Sequence, residues 1–262
     1  MTTQAKKLCV VRGGGDLATG VISRLHHSGF PVIVTELDQP LAVRRTVSAA
    51  SAVFEGIVRI ENMEVHLTKS PSEAIQKSLT GLVSVLVSPL IPDVDAKIVI
   101  DARLAKRNID TQIIDAPLVI ALGPGFIAGQ DCHMVIETKR GHDLGRVLRA
   151  GSALQDTGIP EPVEGYGTSR VLRSPETGYV NWNVQIGDRI SESQVLGNIN
   201  KKEITGPFNG LVRGLIHPSV RVDKDFKIGD IDPRISTNWN RISDKALAVG
   251  GGVLEAILSW NQ

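Results

Sequence analysis

Residues 8–20, with the sequence LCVVRGGGDLATG, decide how the first part of the chain is expected to fold. A short apolar run at 8–11 leads into Gly13, Gly14 and Gly15, and a helical pattern follows directly. This order predicts a strand, a tight turn and a helix. The glycines would let the backbone approach a phosphate group, and the helix start would direct N–H groups and the positive end of its dipole at that group.

The spacing Gly13-x-Gly15-x-x-Ala18 fits the G-x-G-x-x-G/A form of a dinucleotide-binding turn. On its own this spacing is weak, because three neighbouring glycines can also make a plain turn that binds nothing. The candidate phosphate-binding residues of the turn and of the first helical turn are Gly13, Gly14, Gly15, Asp16, Leu17, Ala18 and Thr19.

The second predicted strand, at residues 31–37, contains an acid at its end. Glu36 lies 21 residues after Gly15, where a dinucleotide-binding domain places the carboxylate that accepts from a ribose hydroxyl. The turn, the helix, the strand and the acid together favour a nucleotide site. The alternative for Glu36 is a solvated charge at the end of a strand.

Two later features are expected at the same end of the sheet as the glycine turn. A predicted strand at residues 97–101 ends at Asp101, and Arg103 follows two residues later. Ligands of open parallel sheets bind at the carboxyl ends of the strands, so both side chains are candidate ligand contacts. A further strand at 118–122 runs into a rigid bend at Gly123 and Gly125, which could hold a second anionic group, line a cleft or be a turn without a ligand.

Composition and charge restrict the class of protein. The 262 residues are 42% hydrophobic and 22% charged, as in an ordinary globular protein, and the length favours two domains. A net charge of +1 argues against a dedicated nucleic-acid-binding or membrane-binding protein. No apolar run is long enough to cross a bilayer and residues 1–7 lack an apolar signal region, so a cytoplasmic location is expected.

The cysteines and histidines predict neither a disulfide framework nor a metal site. Cys9 and Cys132 lie in separate apolar runs, which favours buried free thiols. His133, Glu137 and His142 follow Cys132 closely, but no two histidines have helical ligand spacing and no paired-cysteine motif occurs. We therefore expect no bound metal ion.

The composition changes at residues 151–167, where Gly, Pro, Ser and Thr cluster without periodicity, as in a linker. A repeat with an offset of 32 residues follows, and it matches SPETGYV at 174–180 with GPFNGLV at 206–212. Two copies of a short β unit that cannot close alone predict a small pseudo-symmetric barrel. It resembles the barrel-sandwich hybrid of biotinyl and lipoyl domains, although Lys201 and Lys202 are poorly placed to carry a prosthetic group.

The expected fold is therefore α/β and has three parts. Residues 1–150 are predicted to form a Rossmann-like nucleotide-binding domain with a parallel sheet, and residues 168–234 to form the barrel-sandwich hybrid. Residues 235–262 are predicted to form a C-terminal helix, capped by Ser243 or Asp244, that packs back on the first domain. The glycines at 250–252 either break this helix or allow another segment to approach closely.

Several longer motifs, in one order along nearly the whole chain, carry a resemblance to a known family. They include RGGGDLATG at 12–20, PLAVRRTV at 40–47, LGPGF at 122–126, GDIDPR at 229–234 and GGGVLEA at 250–256. Through them the chain resembles the YqeB family, proteins of the selenium-dependent molybdenum hydroxylase system. The resemblance implies an accessory role in maturation or cofactor insertion, and it supplies no proven catalytic residue.

The leading hypothesis is an accessory factor for molybdenum hydroxylases that binds a nucleotide-bearing molecule, either a dinucleotide or a molybdopterin-type nucleotide. The turn at 13–19 would hold phosphates and Glu36 a ribose, while Asp101, Arg103, Gly123 and Gly125 would line the rest of the site. Its partners would be this small molecule and a molybdenum hydroxylase client.

Two alternatives stay open. One is an NAD(P)-dependent oxidoreductase of unknown substrate, and the other is a non-catalytic scaffold that docks a client protein. Whether the protein is an enzyme is also open, because the sequence shows no positioned acid/base pair of the kind that hydride transfer uses.

Overall fold

The computed structural model describes residues 7–155 and 162–260, which divide into two compact units. The first unit contains residues 7–38, 48–155 and 242–260, and the second contains residues 39–47 and 162–241. Both units are therefore discontinuous in sequence. Part of the predicted linker, at 156–161, and the ends of the predicted first and last domains, at 1–6 and 261–262, lie outside the described residues.

A nine-stranded sheet forms the centre of the first unit. Its strands are β1 (Cys9–Arg12), β2 (Val32–Glu36), β3 (Ile57–Ile60), β4 (Met63–Thr68), β5 (Val83–Val87), β6 (Ile98–Asp101), β7 (Leu118–Leu122), β8 (Met134–Ile136) and β9 (Val147–Leu148). Seven of them run parallel, in the order β4-β5-β2-β1-β6-β7-β8. The edge strands β3 and β9 are antiparallel to their neighbours.

Four α-helices lie among the described residues of this unit, and a serine hydroxyl caps the start of two of them. They are α1 (Asp16–His27), α2 (Ala52–Glu55), α3 (Pro71–Leu79) and α4 (Asp244–Leu258). The Ser70 hydroxyl accepts from the N–H of Glu73 over 3.2 Å at the start of α3, where Pro71 takes the first helical position. Ser243, one of the two caps predicted for the C-terminal helix, accepts from the N–H of Ala246 over 3.2 Å.

Helices α1 and α4 pack against each other through glycines. A Cβ at Gly20 would overlap the carbonyl of Ala246, and a Cβ at Gly250 would overlap the carbonyl of Gly20. Helix α4 continues through residues 250–252, so its glycines permit close packing and do not break it. Gly251 differs from its neighbours, because an added Cβ there would meet nothing within 4 Å.

The central strands β1, β6 and β7 are buried on both faces, and their side chains alternate between two apolar clusters. Cys9 and Val11 belong to the cluster that contains residues of α1 and α4, whereas Val10 and Cys132 belong to the cluster on the other face. Both cysteines are free. Burial raises the pKa of Cys132 to about 12 and also raises the pKa of Cys9. The thiols are therefore buried and unpaired, as the sequence predicted.

The predicted Rossmann-like domain with a parallel sheet is wrong. The sheet is mixed, because β3 and β4 form a hairpin and β9 folds back antiparallel on β8. Residues 102–117 and 123–133, which lead from β6 to β7 and from β7 to β8, contain no helix. The alternation of strand and helix that the prediction assumed therefore fails in the second half of the sheet. Short apolar runs look the same in sequence whether the neighbouring strand is parallel or antiparallel.

The second unit contains two antiparallel sheets of four strands each. The strands are β10 (Val171–Arg173), β11 (Gly178–Trp182), β12 (Arg189–Ile190), β13 (Val195–Ile199), β14 (Lys202–Thr205), β15 (Gly210–Leu215), β16 (Arg221–Val222) and β17 (Lys227–Asp232). Their orders are β10-β17-β15-β12 and β14-β13-β11-β16. The strands β11, β12 and β13 recur 32 residues later as β15, β16 and β17.

The barrel-sandwich hybrid predicted for residues 168–234 is also wrong. The repeat exists, but its copies exchange strands: β12 pairs with β15 of the second copy, and β16 pairs with β11 of the first. Strands pair between the copies as well as within them, and the described residues of the second unit form two separate sheets. The repeat in the sequence predicted where the strands lie but did not predict which strands pair.

Candidate functional site

The first two glycines of the turn between β1 and α1 are fixed by their neighbours. Gly13 has a φ of +94°, which favours glycine, and its N–H donates to the carbonyl of Thr35 over 2.8 Å. The carbonyl of Gly14 accepts from the N–H of Ala50 over 2.9 Å, and a Cβ at Gly14 would lie 2.8 Å from that nitrogen. These two positions therefore require glycine for structural reasons.

Gly15 differs because the space around it is open. It is the N-cap of α1, with a φ of −68° that any residue can adopt, and a Cβ there would meet nothing within 4 Å. Gly15 has no side chain to cap the helix. Within the described residues, the N–H groups of Gly15, Leu17 and Ala18 have no hydrogen-bond partner. The turn thus presents unpaired donors at the positive end of the α1 dipole.

The side chains of the other candidate residues in this segment have structural roles. The Thr19 hydroxyl donates to the carbonyl of Gly15 over 2.9 Å and accepts from the N–H of Ala49 over 2.9 Å. Thr19 is fully buried, so it fastens the turn and does not face a ligand. Ala18 lies in the apolar core and Leu17 packs against it, while Asp16 is half-buried at the first position of α1.

Glu36, at the end of β2, binds the glycine turn itself. Its Oε2 accepts from the N–H of Gly14 over 2.8 Å, and its Oε1 accepts from the N–H of Leu37 over 2.8 Å. Burial raises the pKa of the Glu36 carboxyl above its usual value of 4.5, and the two hydrogen bonds offset only part of that rise. The Glu36 carboxylate therefore pairs the N–H of Gly14, whereas the N–H groups of Gly15, Leu17 and Ala18 have no such partner.

A balanced network of charges lies beside the turn, at the carboxyl ends of β1 and β6. Arg12 is the register partner of Asp101 across these two strands. Arg103 Nη2 lies 2.6 Å from Asp101 Oδ2 and 2.7 Å from Asp110 Oδ1, and Arg12 Nη1 lies 2.8 Å from the same Asp110 oxygen. Arg12 and Asp101 are only 2% and 1% exposed, so each of these charges depends on its partners.

Thr111 ties this network together. Its hydroxyl donates to Asp101 Oδ2 over 2.6 Å and accepts from Arg12 Nη1 over 2.8 Å and from Arg103 Nη2 over 3.1 Å. Asn108 orients Thr111 by accepting from its N–H over 2.9 Å. Arg103 and Thr111 hold the oxygens of Asp101, so this carboxylate has a structural role. None of these residues is positioned for proton transfer to or from a ligand.

The electrostatics of the network keep its outer carboxylate charged. Hydrogen bonds from Arg12, and to a lesser extent from Arg103, hold the pKa of Asp110 below its usual range against a smaller opposing effect of burial. Burial lowers the pKa of Arg103, but the neighbouring Asp101 and Asp110 more than reverse this, so its pKa is raised. These groups stay ionised near neutral pH.

The bend at Gly123 and Gly125 packs against neighbouring loops. The N–H of Gly123 donates to the carbonyl of Ile136 over 2.8 Å, and a Cβ there would lie 2.6 Å from the Thr138 hydroxyl. The carbonyl of Gly125 accepts from the N–H of Asn108 over 3.0 Å. The bend therefore holds the loop that carries Thr111 in place. Its contacts give no support to the prediction that it binds a second anionic group.

The structure brings most of the predicted residues together. Glu36 contacts the glycine turn directly, and a Cβ at Gly13 would lie 3.1 Å from Arg103 Cα. Sequence reasoning missed Arg12, Asp110 and Thr111 as members of the site. A signal existed for Arg12, because an arginine at the end of a buried apolar strand needs a partner. No local pattern indicates that Asp110 and Thr111 are its partners, since they lie 98 and 99 residues away in sequence.

Histidines and cysteines do not gather around this site. In residues 7–155 and 162–260, no three His, Cys, Asp or Glu side chains lie close enough together to hold a metal ion. His133 Nδ1 accepts from the N–H of Val119 over 3.0 Å, and its ring packs edge-on against Trp260 at 4.7 Å. Nor does any helix in this part of the chain have the length and apolarity to cross a membrane.

The fold and the site define a protein of two units, of which the larger presents unpaired helix-start amides at the carboxyl ends of parallel strands. The chain is 46% identical over 256 residues to the protein of Escherichia coli strain K12 named uncharacterized protein YqeB. The match covers 96% of this chain and 47% of that protein, so the chain spans about half the length of this curated relative. The name of this relative agrees with the resemblance of the sequence motifs to the YqeB family. No protein-family model matches the chain.

Solved structures show only remote similarity. An aspartoacylase family protein from Mesorhizobium loti has a TM-score of 0.27 at 11% identity, with 86% of this chain and 85% of that chain covered. A succinylglutamate desuccinylase/aspartoacylase from Rhodobacter sphaeroides has a TM-score of 0.25 at 12% identity, with 85% and 86% covered. The ectoine utilization protein EutE of Ruegeria pomeroyi has a TM-score of 0.26 at 11% identity, with 87% and 85% covered. Similarity at this level carries no conclusion about activity.

Proposed function

We propose that this chain binds a nucleotide-bearing small molecule at the glycine turn and acts in the maturation of molybdenum hydroxylases or in the insertion of their cofactor. The binding part rests on the unpaired N–H groups of Gly15, Leu17 and Ala18, which have no partner among the described residues. Unpaired amides at a helix start favour an oxyanion, because they donate hydrogen bonds and carry the positive end of the dipole. A phosphate group of the ligand would pair them.

Glu36 limits where the phosphate binds. Its carboxylate already accepts from Gly14, so a phosphate placed there would meet a negative charge. The phosphate is therefore proposed to bind at the N–H groups of Gly15, Leu17 and Ala18. Each Glu36 oxygen accepts one backbone N–H and keeps a second lone pair, which a ribose hydroxyl can use. Dinucleotides and molybdopterin-type nucleotides both contain a phosphate and a ribose hydroxyl.

The Arg12–Asp101–Arg103 network has a supporting role in this proposal. It holds the loop that begins after β6 against the glycine turn, where the backbone of Arg103 packs closely against Gly13. Because the Asp101 oxygens are already paired, Asp101 and Arg103 line the site and do not carry the phosphate. The proposal assigns ligand binding to backbone amides and Glu36, and it assigns no reaction to the site.

The test of binding uses two substitutions at Gly15. Gly15→Asp places a carboxylate in the N-cap position, where it would accept from the Leu17 or Ala18 amide and exclude a phosphate. Gly15→Ala adds a methyl group into open space and caps nothing. We expect nucleotides to raise the unfolding midpoint of the natural protein and of Gly15→Ala, but not that of Gly15→Asp. Capping keeps Gly15→Asp at least as stable as the natural protein without ligand, so lost binding would not reflect misfolding.

Thermal unfolding is measured against a panel of adenine, guanine and cytosine nucleotides, NAD, NADP and the pterin cytosine dinucleotide. If no compound shifts the midpoint of the folded natural protein, the binding proposal fails. If a compound stabilises Gly15→Asp as strongly as the natural protein, its site lies elsewhere.

The proposed role in hydroxylase maturation comes from the resemblance to the YqeB family and needs a separate test. In a strain that lacks its own copy of the protein and makes a molybdenum hydroxylase, we expect the natural chain and Gly15→Ala to restore hydroxylase activity. Gly15→Asp should not restore it. Full activity without the protein, or full restoration by Gly15→Asp, would contradict the role or its dependence on the turn.

A further inference from the structure

A second unpaired donor group lies in the second unit. Arg170 is 8% exposed and ends the short 3-10 turn Thr168–Arg170 that leads into β10. Its Nε and Nη1 atoms are buried and have no hydrogen-bond partner among the described residues. Leaving a buried guanidinium without partners is energetically unfavourable. The burial of this side chain therefore indicates a partner that the described chain does not supply.

The acidic residues of β17, the strand that pairs with β10 directly after Arg170, already have arginine partners. Val171, the next residue, pairs with Asp230 of β17, and Asp230 Oδ2 lies 3.5 Å from Arg213 Nη1. Asp232 is fully buried, and its oxygens accept from Arg234 Nε over 2.9 Å and from Arg234 Nη2 over 2.8 Å. Within the described residues, neither carboxylate forms an ion pair with Arg170.

The arginines nearest to these two carboxylates are Arg213 and Arg234. Among the described residues, Arg213 pairs with Asp230 and Arg234 pairs with Asp232. Burial acts to raise the pKa of Asp232, but donation from Arg234 outweighs it and the pKa is lowered, so Asp232 is ionised near neutral pH. Asp232 is therefore held by Arg234, and an oxyanion would supply the acceptor that the buried Nε and Nη1 atoms of Arg170 lack among the described residues.

We propose that Arg170 anchors an oxyanion-binding site in the second unit, which takes a phosphate or carboxylate group. A guanidinium suits both groups, because its planar N–H donors match the geometry of their oxygens. The site is independent of the glycine turn and uses a charged side chain, whereas the turn uses backbone amides.

The experiment titrates inorganic phosphate and, separately, acetate into Gly15→Asp protein at constant ionic strength. The capped turn of this background removes the first-unit amides as a competing anion site. We expect at least one of the two anions to bind with one-to-one stoichiometry in calorimetry. Binding of phosphate alone assigns a phosphate group, and binding of acetate alone assigns a carboxylate.

Arg170→Met and Arg173→Met complete the design. Loss of hydrogen bonds to a charged group predicts that Arg170→Met weakens the binding by about 10- to 100-fold. Arg173 is an exposed neighbour whose Nη1 donates to the carbonyl of Asp225, and Arg173→Met should leave the affinity unchanged. Absence of binding by both anions, or binding that Arg170→Met does not weaken, would overturn the proposal.

Stability without oxyanions gives an independent readout. In a low-salt buffer without phosphate or carboxylate, Arg170→Met removes two buried nitrogen donors that have no partner among the described residues, so its unfolding midpoint should equal or exceed that of the parent. A fall of many degrees would show that Arg170 is satisfied within the fold, which contradicts the proposed site. None of these outcomes bears on nucleotide binding at Gly15.

Discussion

The N–H groups of the glycine turn and of the start of α1 fall into two sets. One is bound by Glu36 within the protein, and the others are proposed to bind the ligand. The Glu36 carboxylate holds the N–H of Gly14, and the N–H groups of Gly15, Leu17 and Ala18 are left without partners in the described chain. The position of Glu36 at a strand end was predictable from its spacing to Gly15. Its hydrogen bond to Gly14 was not, because it depends on how closely β2 lies beside the turn.

The raised pKa of Glu36 predicts a pH dependence of stability. Burial favours the protonated carboxyl in the folded state, so its pKa exceeds the unfolded value of about 4.5. The stabilising contribution of protonated Glu36 is complete below that unfolded pKa and is lost as the pH rises through the folded pKa. The natural protein should therefore lose free energy of unfolding relative to Glu36→Gln between pH 4.5 and neutrality.

Chemical unfolding of both proteins at several pH values in this range measures that difference. The difference isolates Glu36, because every other titrating group is shared by the two proteins. A difference that changes in the opposite direction with pH would mean that the turn stabilises the carboxylate more than burial destabilises it.

The charge network predicts that Asp101 is needed for stability. Asp101→Asn would leave Arg103 without its closest anion and disturb the acceptor of the Thr111 hydroxyl. We expect the free energy of unfolding to fall by about 3–5 kcal/mol, as for other broken buried ion pairs. The matched control is Asp143→Asn, which removes the exposed pair with Arg146 and should change stability little. Equal effects of the two substitutions in urea unfolding would show that the network contributes no more than a surface pair.

At the scale of elements, the packing of α1 on α4 depends on which glycines meet a neighbour. Local signals in the sequence were sufficient to predict these two helices: Ser243 caps α4, and the glycine turn starts α1. The reason for the three glycines in α4 could not be obtained locally, because the segment that approaches Gly250 comes from residue 20.

Two substitutions in α4 separate close packing from helix propensity. Gly250→Ala should destabilise the protein by roughly 1–3 kcal/mol, because its methyl group would overlap the carbonyl of Gly20. Gly251→Ala should stabilise it by about 1 kcal/mol, since the methyl group enters open space and alanine favours a helix. Thermal unfolding distinguishes the two signs, and stabilisation by Gly250→Ala would contradict the close contact.

At the scale of the whole molecule, the sequence located most strands but did not predict how they pair. The apolar runs at β1, β2, β6 and β7 were recognisable, as was the repeat that relates β11 to β15. Strand pairing could not be predicted because it depends on contacts between separate segments, such as β9 with β8 or β16 with β11. The same limit hid the contact of Arg12 with Asp110, which are 98 residues apart.

Burial of the two thiols predicts how the molecule reacts with a thiol reagent. Cys9 and Cys132 are both 0% exposed, and burial raises the pKa of each, so little thiolate forms near neutral pH. Neither should react with Ellman's reagent in the native protein, while both should react promptly in guanidinium chloride. Rapid reaction of either thiol under native conditions would contradict its place in the core.

Amide NMR of the nitrogen-15-labelled protein tests the central claim most directly. The spectrum would be recorded during titration with the nucleotide that raises the unfolding midpoint most. We predict that the signals of Gly15, Leu17 and Ala18 shift the most, because a phosphate would accept hydrogen bonds from these unpaired N–H groups. Saturating nucleotide that leaves these three signals in place, whatever other signals move, would contradict the assignment of the glycine turn as the binding site.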